Sequence, residues 1–213
     1  MKLTVFGASG RIGGELVRQG AAAGHDMTAV VRRGSAVTGL PEHARLVEVD
    51  GIDDPDVLVP AIAGRDAVLS GLGPRARRDA GVTAPMIRCL LGAMDRSDVR
   101  RILVVSAAPV AAPHPDDSFV TRRVMWPLIS RILRPVYVDL REVEHDLALS
   151  GTTEWTAVRP PRLVNREVTG RYRTAIGENL PQAGTISPAD VAHAMLAMIN
   201  DQSTYRRAVG VAW

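Results

Sequence analysis

The chain is almost without lysine. Of the 26 cationic side chains that stand against 23 acidic ones, only Lys2 is a lysine, which leaves 25 arginines (26 − 1) and a formal charge of +3. Arginine is permanently charged and rigidly forked, so beyond position 2 no amine is available as a Schiff-base nucleophile or a proton relay. Cysteine is as scarce: Cys89 alone excludes an intrachain disulfide and a zinc site built from several thiolates, and fits a reducing compartment. No apolar run nears the roughly 18–20 residues of a membrane span. The run at Met1–Gly7 is too short for a signal peptide, so a cytoplasmic protein with no membrane partner is expected. Aromatic residues make up only 4% of the chain, and Trp126, Trp155 and Trp213 are not interleaved into a stacking platform; nucleic acid is not expected as a partner. His25, His43, His114, His145 and His193 are scattered without ligand spacing, and no metal is expected.

What the chain does have is enough apolar surface, 46% of 213 residues, to bury one core, and residues 1–213 read as a single domain. Leu3–Phe6, Met27–Val31, Arg45–Val49, Ala67–Leu72 and Ile102–Val105 are short, continuous Val/Leu/Ile runs, the pattern of strands buried on both faces of a parallel sheet. Between them Arg11–Ala23, Pro55–Ala63 and Val82–Met94 have helical composition. Strand and helix alternating from residue 3 predict a doubly wound α/β fold. Residues 107–135 break the pattern with five prolines and a possible helix, Thr121–Leu133, interrupted by Pro127; so long a stretch without a strand is expected to be a lid over the sheet's carboxyl edge. A helix over Tyr137–Ser150, a strand at Trp155–Arg159 closed by Pro160-Pro161, a helix from Pro188 capped by Ser187, and a strand at Arg207–Val211 complete the expected fold.

Directly after the first strand stands Gly7-Ala8-Ser9-Gly10-Arg11-Ile12-Gly13-Gly14. Glycines at 7, 10 and 13 permit a tight turn, close approach of backbone to a pyrophosphate, and contact between helix and strand, while the helix N-terminus supplies free N–H groups. In this context, strand before and helix after, the spacing points to a dinucleotide. The second strand then ends in Val30-Val31-Arg32-Arg33 with no carboxylate. An acid near this position holds a ribose hydroxyl, whereas arginines suit a 2′-phosphate, so NADP(H) is expected over NAD(H), an ordinary solvated Arg-Arg loop being the alternative. Asp50-Gly51, closing the third strand, is placed either to meet an adenine or to cap the next helix. Ser70-Gly71-Leu72-Gly73 is small enough for a ribose to lie along it, or is a plain turn.

Together with Val104-Val105-Ser106-Ala107, Glu144-x-x-Leu147-x-x-Ser150-Gly151, Val158-Arg159-Pro160-Pro161 and Ile186-Ser187-x-x-Asp190-Val191, these segments resemble the atypical short-chain dehydrogenase/reductase superfamily. The similarity runs from residue 2 to about 200, within the Rossmann-fold branch that includes biliverdin-IX-beta (flavin) reductases and NmrA-like proteins. The resemblance implies cofactor contacts from Gly7, Ser9, Gly10, Arg11, Ile12, Arg32, Arg33, Asp50, Leu72 and Gly73. It also implies that Ser106 lies beside the nicotinamide with Pro161 packed near it, and it favours a monomer.

Most members of that superfamily act through a Tyr-x-x-x-Lys pair, in which the lysine lowers the tyrosine's pKa. Here the only lysine is Lys2; Tyr137 is followed at the same spacing by Arg141, but alignment on Glu144 and Ser150-Gly151 puts the usual lysine position near Leu140. Tyr137 is therefore a candidate acid that is out of register. Without one, a conjugated acceptor such as a flavin or quinone is expected, because its developing charge is delocalised and solvent can supply the proton. A non-catalytic NADP(H) sensor and an NAD-dependent epimerase or dehydratase are the alternatives. Arg162 stands where the flavin reductases have a histidine, Leu140 and Glu144 replace other pocket histidines, and biliverdin is the less expected acceptor. Arg162, Arg75, Arg77 and Arg78 are candidates to hold a small-molecule acceptor's phosphate or carboxylate.

Overall fold

The computed structural model describes residues 1–74 and 80–213. Among the described residues eight strands form one sheet in the order β3-β2-β1-β4-β5-β6-β10-β8. The strands are β1 (Lys2–Phe6), β2 (Asp26–Arg32), β3 (Arg45–Val49), β4 (Ala67–Ser70), β5 (Arg101–Val105), β6 (Glu154–Arg159), β8 (Arg173–Ile176) and β10 (Arg207–Ala212). All neighbours run parallel except β8, which lies antiparallel on β10 at one edge. A second pair, β7 (Arg162–Leu163) with β9 (Thr185–Ile186), is parallel.

The helices are α1 (Arg11–Ala22), α2 (Pro55–Ile62), α3 (Thr83–Asp95), α4 (Trp126–Ile132), α5 (Arg134–Leu149) and α6 (Pro188–Ala197). They cover both faces of the sheet, because successive strand residues point to opposite sides. Leu3 and Val5 of β1 join Leu16, Val17, Val191 and Met195 of α1 and α6 on one side. Phe6 of the same strand joins Leu58, Ile62, Ile87, Leu90 and Leu147 of α2, α3 and α5 on the other. Each such Leu or Ile, moved wholly out of water, stabilises the fold by about 1.5–3 kcal/mol.

Two helix starts show how local chemistry sets the boundaries. Ser187 caps α6, its Oγ accepting from Asp190 N at 2.9 Å, with Pro188 in the first turn. Asp54, not Asp50, caps α2, accepting from Asp56 N at 2.9 Å; a helix-capping role for Asp50 is thereby corrected. Asp190 is fully buried and ties distant segments together, accepting from Thr169 N and Oγ1, Gly170 N and Trp213 Nε1. Burial would raise its pKa, but these donors outweigh burial and hold it below the ordinary carboxylate value.

The segment 107–135 contains no strand among its residues, as expected, but its helix differs. Residues 119–132 are helical without a break: the turn Thr121–Met125 is widened and leads with helical dihedrals at Met125 and Trp126 straight into α4, which carries Pro127 in its first turn. Proline has no N–H to donate and its ring crowds the carbonyl four residues back, and the widened turn just before it makes room for both, so the expected interruption at Pro127 is a wide turn and not a break. Among the described residues no helix is long and apolar enough to cross a membrane.

Candidate cofactor and active site

The strand order reverses direction between β1 and β4, and the crevice at the carboxyl ends of such a pair is where open α/β sheets take their ligands. Here the crevice is lined by missing side chains. Gly7 has φ +74°, a left-handed conformation that costs glycine little. A Cβ on Gly13 would lie 2.1 Å from the Gly7 carbonyl oxygen, and one on Gly71 would lie 3.0 Å from Gly13 N. Three backbones from β1, α1 and the end of β4 therefore touch at van der Waals distance, a contact only glycine permits. Gly71 N donates to Phe6 O at 2.9 Å, which fixes the β4 end against the loop.

Gly10 is the N-cap of α1, and no side chain caps it and no acid stands in the first turn. The first-turn amides and the positive end of the helix dipole are left for an anion. The Ile12 side chain is buried in the core, so its cofactor contact would come from its amide. Arg11 and Gly10 are exposed and Ser9 half-buried; Arg11 Nη1 donates to Asn165 Oδ1 at 3.1 Å.

At the end of β2 the two arginines part ways. Arg33 Nε donates to Asp50 Oδ1 at 2.6 Å, with 63% and 83% of the two side chains exposed. That bond is the main reason the Arg33 guanidinium is held above its ordinary pKa. Arg32 makes no ion pair among the described residues. A fork of two guanidiniums is thus reduced to one, and the Asp50 carboxylate faces Arg33. Gly51 follows Asp50 at the same edge, and Leu72 and Gly73 continue from Gly71 without regular secondary structure.

The β5 and β6 ends are built from side chains instead. Ser106, buried after β5, donates its hydroxyl to Glu144 Oε1 at 2.6 Å. Glu144, on α5, is gripped by Arg159 at the end of β6: Nε donates to Oε1 at 2.9 Å and Nη2 to Oε2. The two side chains are only 12% and 11% exposed. A carboxylate only accepts, so the Ser106 proton is committed to Glu144 and the Oγ lone pairs remain to receive a ligand's donor.

Sequence reasoning found Ser106 but missed Glu144 and Arg159 as its partners. A charged residue closing an otherwise buried strand, Glu154–Arg159, was the available signal, since such a charge needs a partner.

Tyr137 is buried on α5, and burial pushes its pKa above the ordinary phenol value. Arg141, four residues on, instead donates to the Val110 carbonyl at 3.3 Å. Lys2 sits at the start of β1, away from the carboxyl ends of the strands. Pro161 is half-buried beside β6, and Arg162 is exposed on β7. Arg75, Arg77 and Arg78 lie outside the described residues.

The chain matches the family model described as NAD(P)H-binding over residues 7–202. It is 26% identical over 201 residues to the uncharacterized protein YwnB of Bacillus subtilis (strain 168), covering 92% of this chain and 91% of that protein. Among solved structures it is similar to a putative exported protein from Burkholderia pseudomallei, at 26% identity, TM-score 0.80 and full coverage of both chains. It also shares the fold of a putative NADH-flavin reductase from Streptococcus pneumoniae TIGR4, at 21% identity and TM-score 0.80, covering 100% of this chain and 99% of that one.

Proposed function

The chain belongs to the NAD(P)H-binding family, and from that premise we propose that it is an NADPH-dependent oxidoreductase that passes hydride directly to a small conjugated acceptor, a flavin or quinone before biliverdin. The residues present fit the cofactor. The Gly7–Gly13–Gly71 contact leaves a cradle that a single Cβ would fill, and the uncapped first turn of α1 suits a pyrophosphate. The amides of Arg11, Ile12 and Gly13 would hold that pyrophosphate. Arg32 would pair with the 2′-phosphate, and Gly71–Gly73 would run along a ribose.

When bound, the reduced nicotinamide supplies a hydride to an acceptor. The protein's own contribution is placement. Arg159 holds Glu144, Glu144 fixes the Ser106 hydroxyl, and the Ser106 oxygen is left aimed as an acceptor. The observation that carries the reading is that, among the described residues, no tyrosine–lysine pair stands at the site to protonate an alkoxide. Tyr137 is buried and its pKa is raised rather than lowered, and the only side-chain ammonium of the chain, on Lys2, stands at the start of β1, away from the carboxyl ends of the strands. An acceptor that delocalises the incoming charge and takes its proton from water needs no such relay.

The test is NADPH oxidation in the presence of FMN, FAD, quinones and biliverdin in turn. Saturable oxidation with a flavin or quinone is expected. Tight NADPH binding with no turnover of any acceptor would sink the enzyme and leave a nucleotide sensor. Copurification of tightly held NAD would turn the reading towards an epimerase or dehydratase.

A further inference from the structure

The insertion after Ser106 has two halves that behave differently. Its first half is fastened to the body: Asn179 Nδ2 donates to the carbonyls of Ala108 and Ala112 at 2.9 Å, and Gln182 N donates to Asp117 Oδ1 at 2.8 Å. From Ser118 to Leu133 every hydrogen bond among the described residues stays local, as in Arg122 Nη1 to Pro115 O and Ser118 to Thr121. Yet this second half is apolar. Phe119 is 75% exposed, and Val120, Val124, Met125, Leu128, Ile129 and Ile132 are exposed as well. No residue of α4 is buried. Leu128, Ile129 and Ile132 share one face of α4, at the spacing that puts side chains side by side. Contiguous exposed apolar side chains of this kind mark a surface that meets something.

The charges say what it meets. Between Asp117 and Asp139 the chain has no acidic residue and four cations, Arg122, Arg123, Arg131 and Arg134, all exposed. These guanidiniums only donate hydrogen bonds, and although Arg122 reaches the Pro115 carbonyl, Arg123, Arg131 and Arg134 have no hydrogen-bond or ion-pair partner among the described residues, so the face carries positive charge that suits an anionic partner. A second copy meeting this face symmetrically would bring arginines against arginines, because a two-fold contact places the same patch on both sides. Aliphatic side chains interleaved with arginines, with Trp126 half-buried at the root of α4, are the make-up of a helix that lies in the plane of a bilayer interface.

We propose that residues 118–134 are a membrane-surface element that docks on anionic phospholipid. The occupant is a bilayer rather than an acidic protein, because aliphatic side chains enter lipid without a matching surface while the arginines meet phosphates on every side. The lack of a spanning run does not oppose this, since an interfacial helix needs an amphipathic face and not length. The proposal stands apart from the hydride-transfer reading, and its test involves no turnover.

The test is co-sedimentation of the full chain with vesicles of pure phosphatidylcholine and of phosphatidylcholine mixed with phosphatidylglycerol. Binding to the anionic vesicles is expected to exceed binding to neutral ones by at least about tenfold and to weaken with salt. Leu128→Asp and, separately, the pair Arg123→Glu and Arg131→Glu are each expected to cut it by about tenfold or more. Thermal unfolding and NADPH affinity should stay unchanged in both variants, because these side chains are exposed. Absence of binding to anionic vesicles, or binding indifferent to both variants, overturns the proposal. A dimer in sedimentation equilibrium that Leu128→Asp dissociates would assign the face to a second copy. Binding to polyglutamate that matches the vesicles and ignores Leu128→Asp would assign it to an acidic protein.

Discussion

The two halves of the carboxyl edge are made of opposite materials. On the β1–β4 side the surface is backbone, with Gly7, Gly13 and Gly71 touching where any side chain would intrude. On the β5–β6 side it is three polar side chains, Ser106, Glu144 and Arg159, each satisfying the next. The two sides differ in how much substitution they tolerate. A backbone cradle recognises what every dinucleotide has in common and admits no substitution. A side-chain network can be retuned residue by residue, and there the choice of acceptor and the fine placement of the reacting ring would reside.

The largest effect should come from putting one methyl into the backbone side. Gly13→Ala sets a carbon 2.1 Å from a carbonyl oxygen, which must be relieved by moving α1. NADPH affinity should fall by roughly a hundredfold or more, read by calorimetry, with a stability loss of about 1–3 kcal/mol from overpacking. On the other side, Arg159→Ala leaves the Glu144 carboxylate largely buried without its partner. A loss of up to about 3 kcal/mol in urea unfolding is expected, less than for a wholly dry pair because some water reaches the site. Glu144→Gln keeps one acceptor for Ser106 but leaves the largely buried Arg159 guanidinium unpaired and facing an amide NH2, so a loss of similar size is expected there.

A pH test separates the same halves from the rest of the fold. The Asp190 pKa is held down by four donors, so its carboxylate adds stability at neutral pH. That contribution is complete above the ordinary carboxylate value near 4 and is lost as pH falls through the lower folded value. Asp190→Asn should therefore flatten the acid limb of a stability–pH curve while leaving NADPH affinity near wild type. The smallest effect is expected from Ser106→Ala. Removing one oriented hydroxyl should lower kcat by about tenfold in steady-state NADPH oxidation, with the NADPH Kd nearly unchanged.

Most of the fold was legible because its signals are local. Runs such as Arg45–Val49 coincide with their strand to the residue, and the Ser187-Pro188 start of α6 is read from two adjacent side chains. The glycine loop was legible for the same reason, since its three glycines lie within seven residues. What the sequence hid were pairings between distant positions. Arg33 meets Asp50 across 17 residues, and Glu144 meets Ser106 across 38. Nothing in spacing foretells such contacts, which form only once the strands are in register. The Arg32-Arg33 pair looked like one device and is two, one arginine committed to a carboxylate and the other exposed beside it. The insertion was recognised by its prolines, but its exposed apolar face depends on which side chains find no partner, a property of the folded surface alone. The lack of a spanning run bears on crossing a bilayer and not on lying at its surface.

The division between a backbone cradle and a single discriminating arginine is tested most directly by titrating NADPH and NADH into the wild type, Arg32→Ala and Arg33→Ala. NADPH is expected to bind about tenfold or more tighter than NADH, Arg32→Ala to remove that preference while sparing NADH, and Arg33→Ala to change it little. Equal affinity of the wild type for the two cofactors, or a preference that survives Arg32→Ala and disappears in Arg33→Ala, would contradict it.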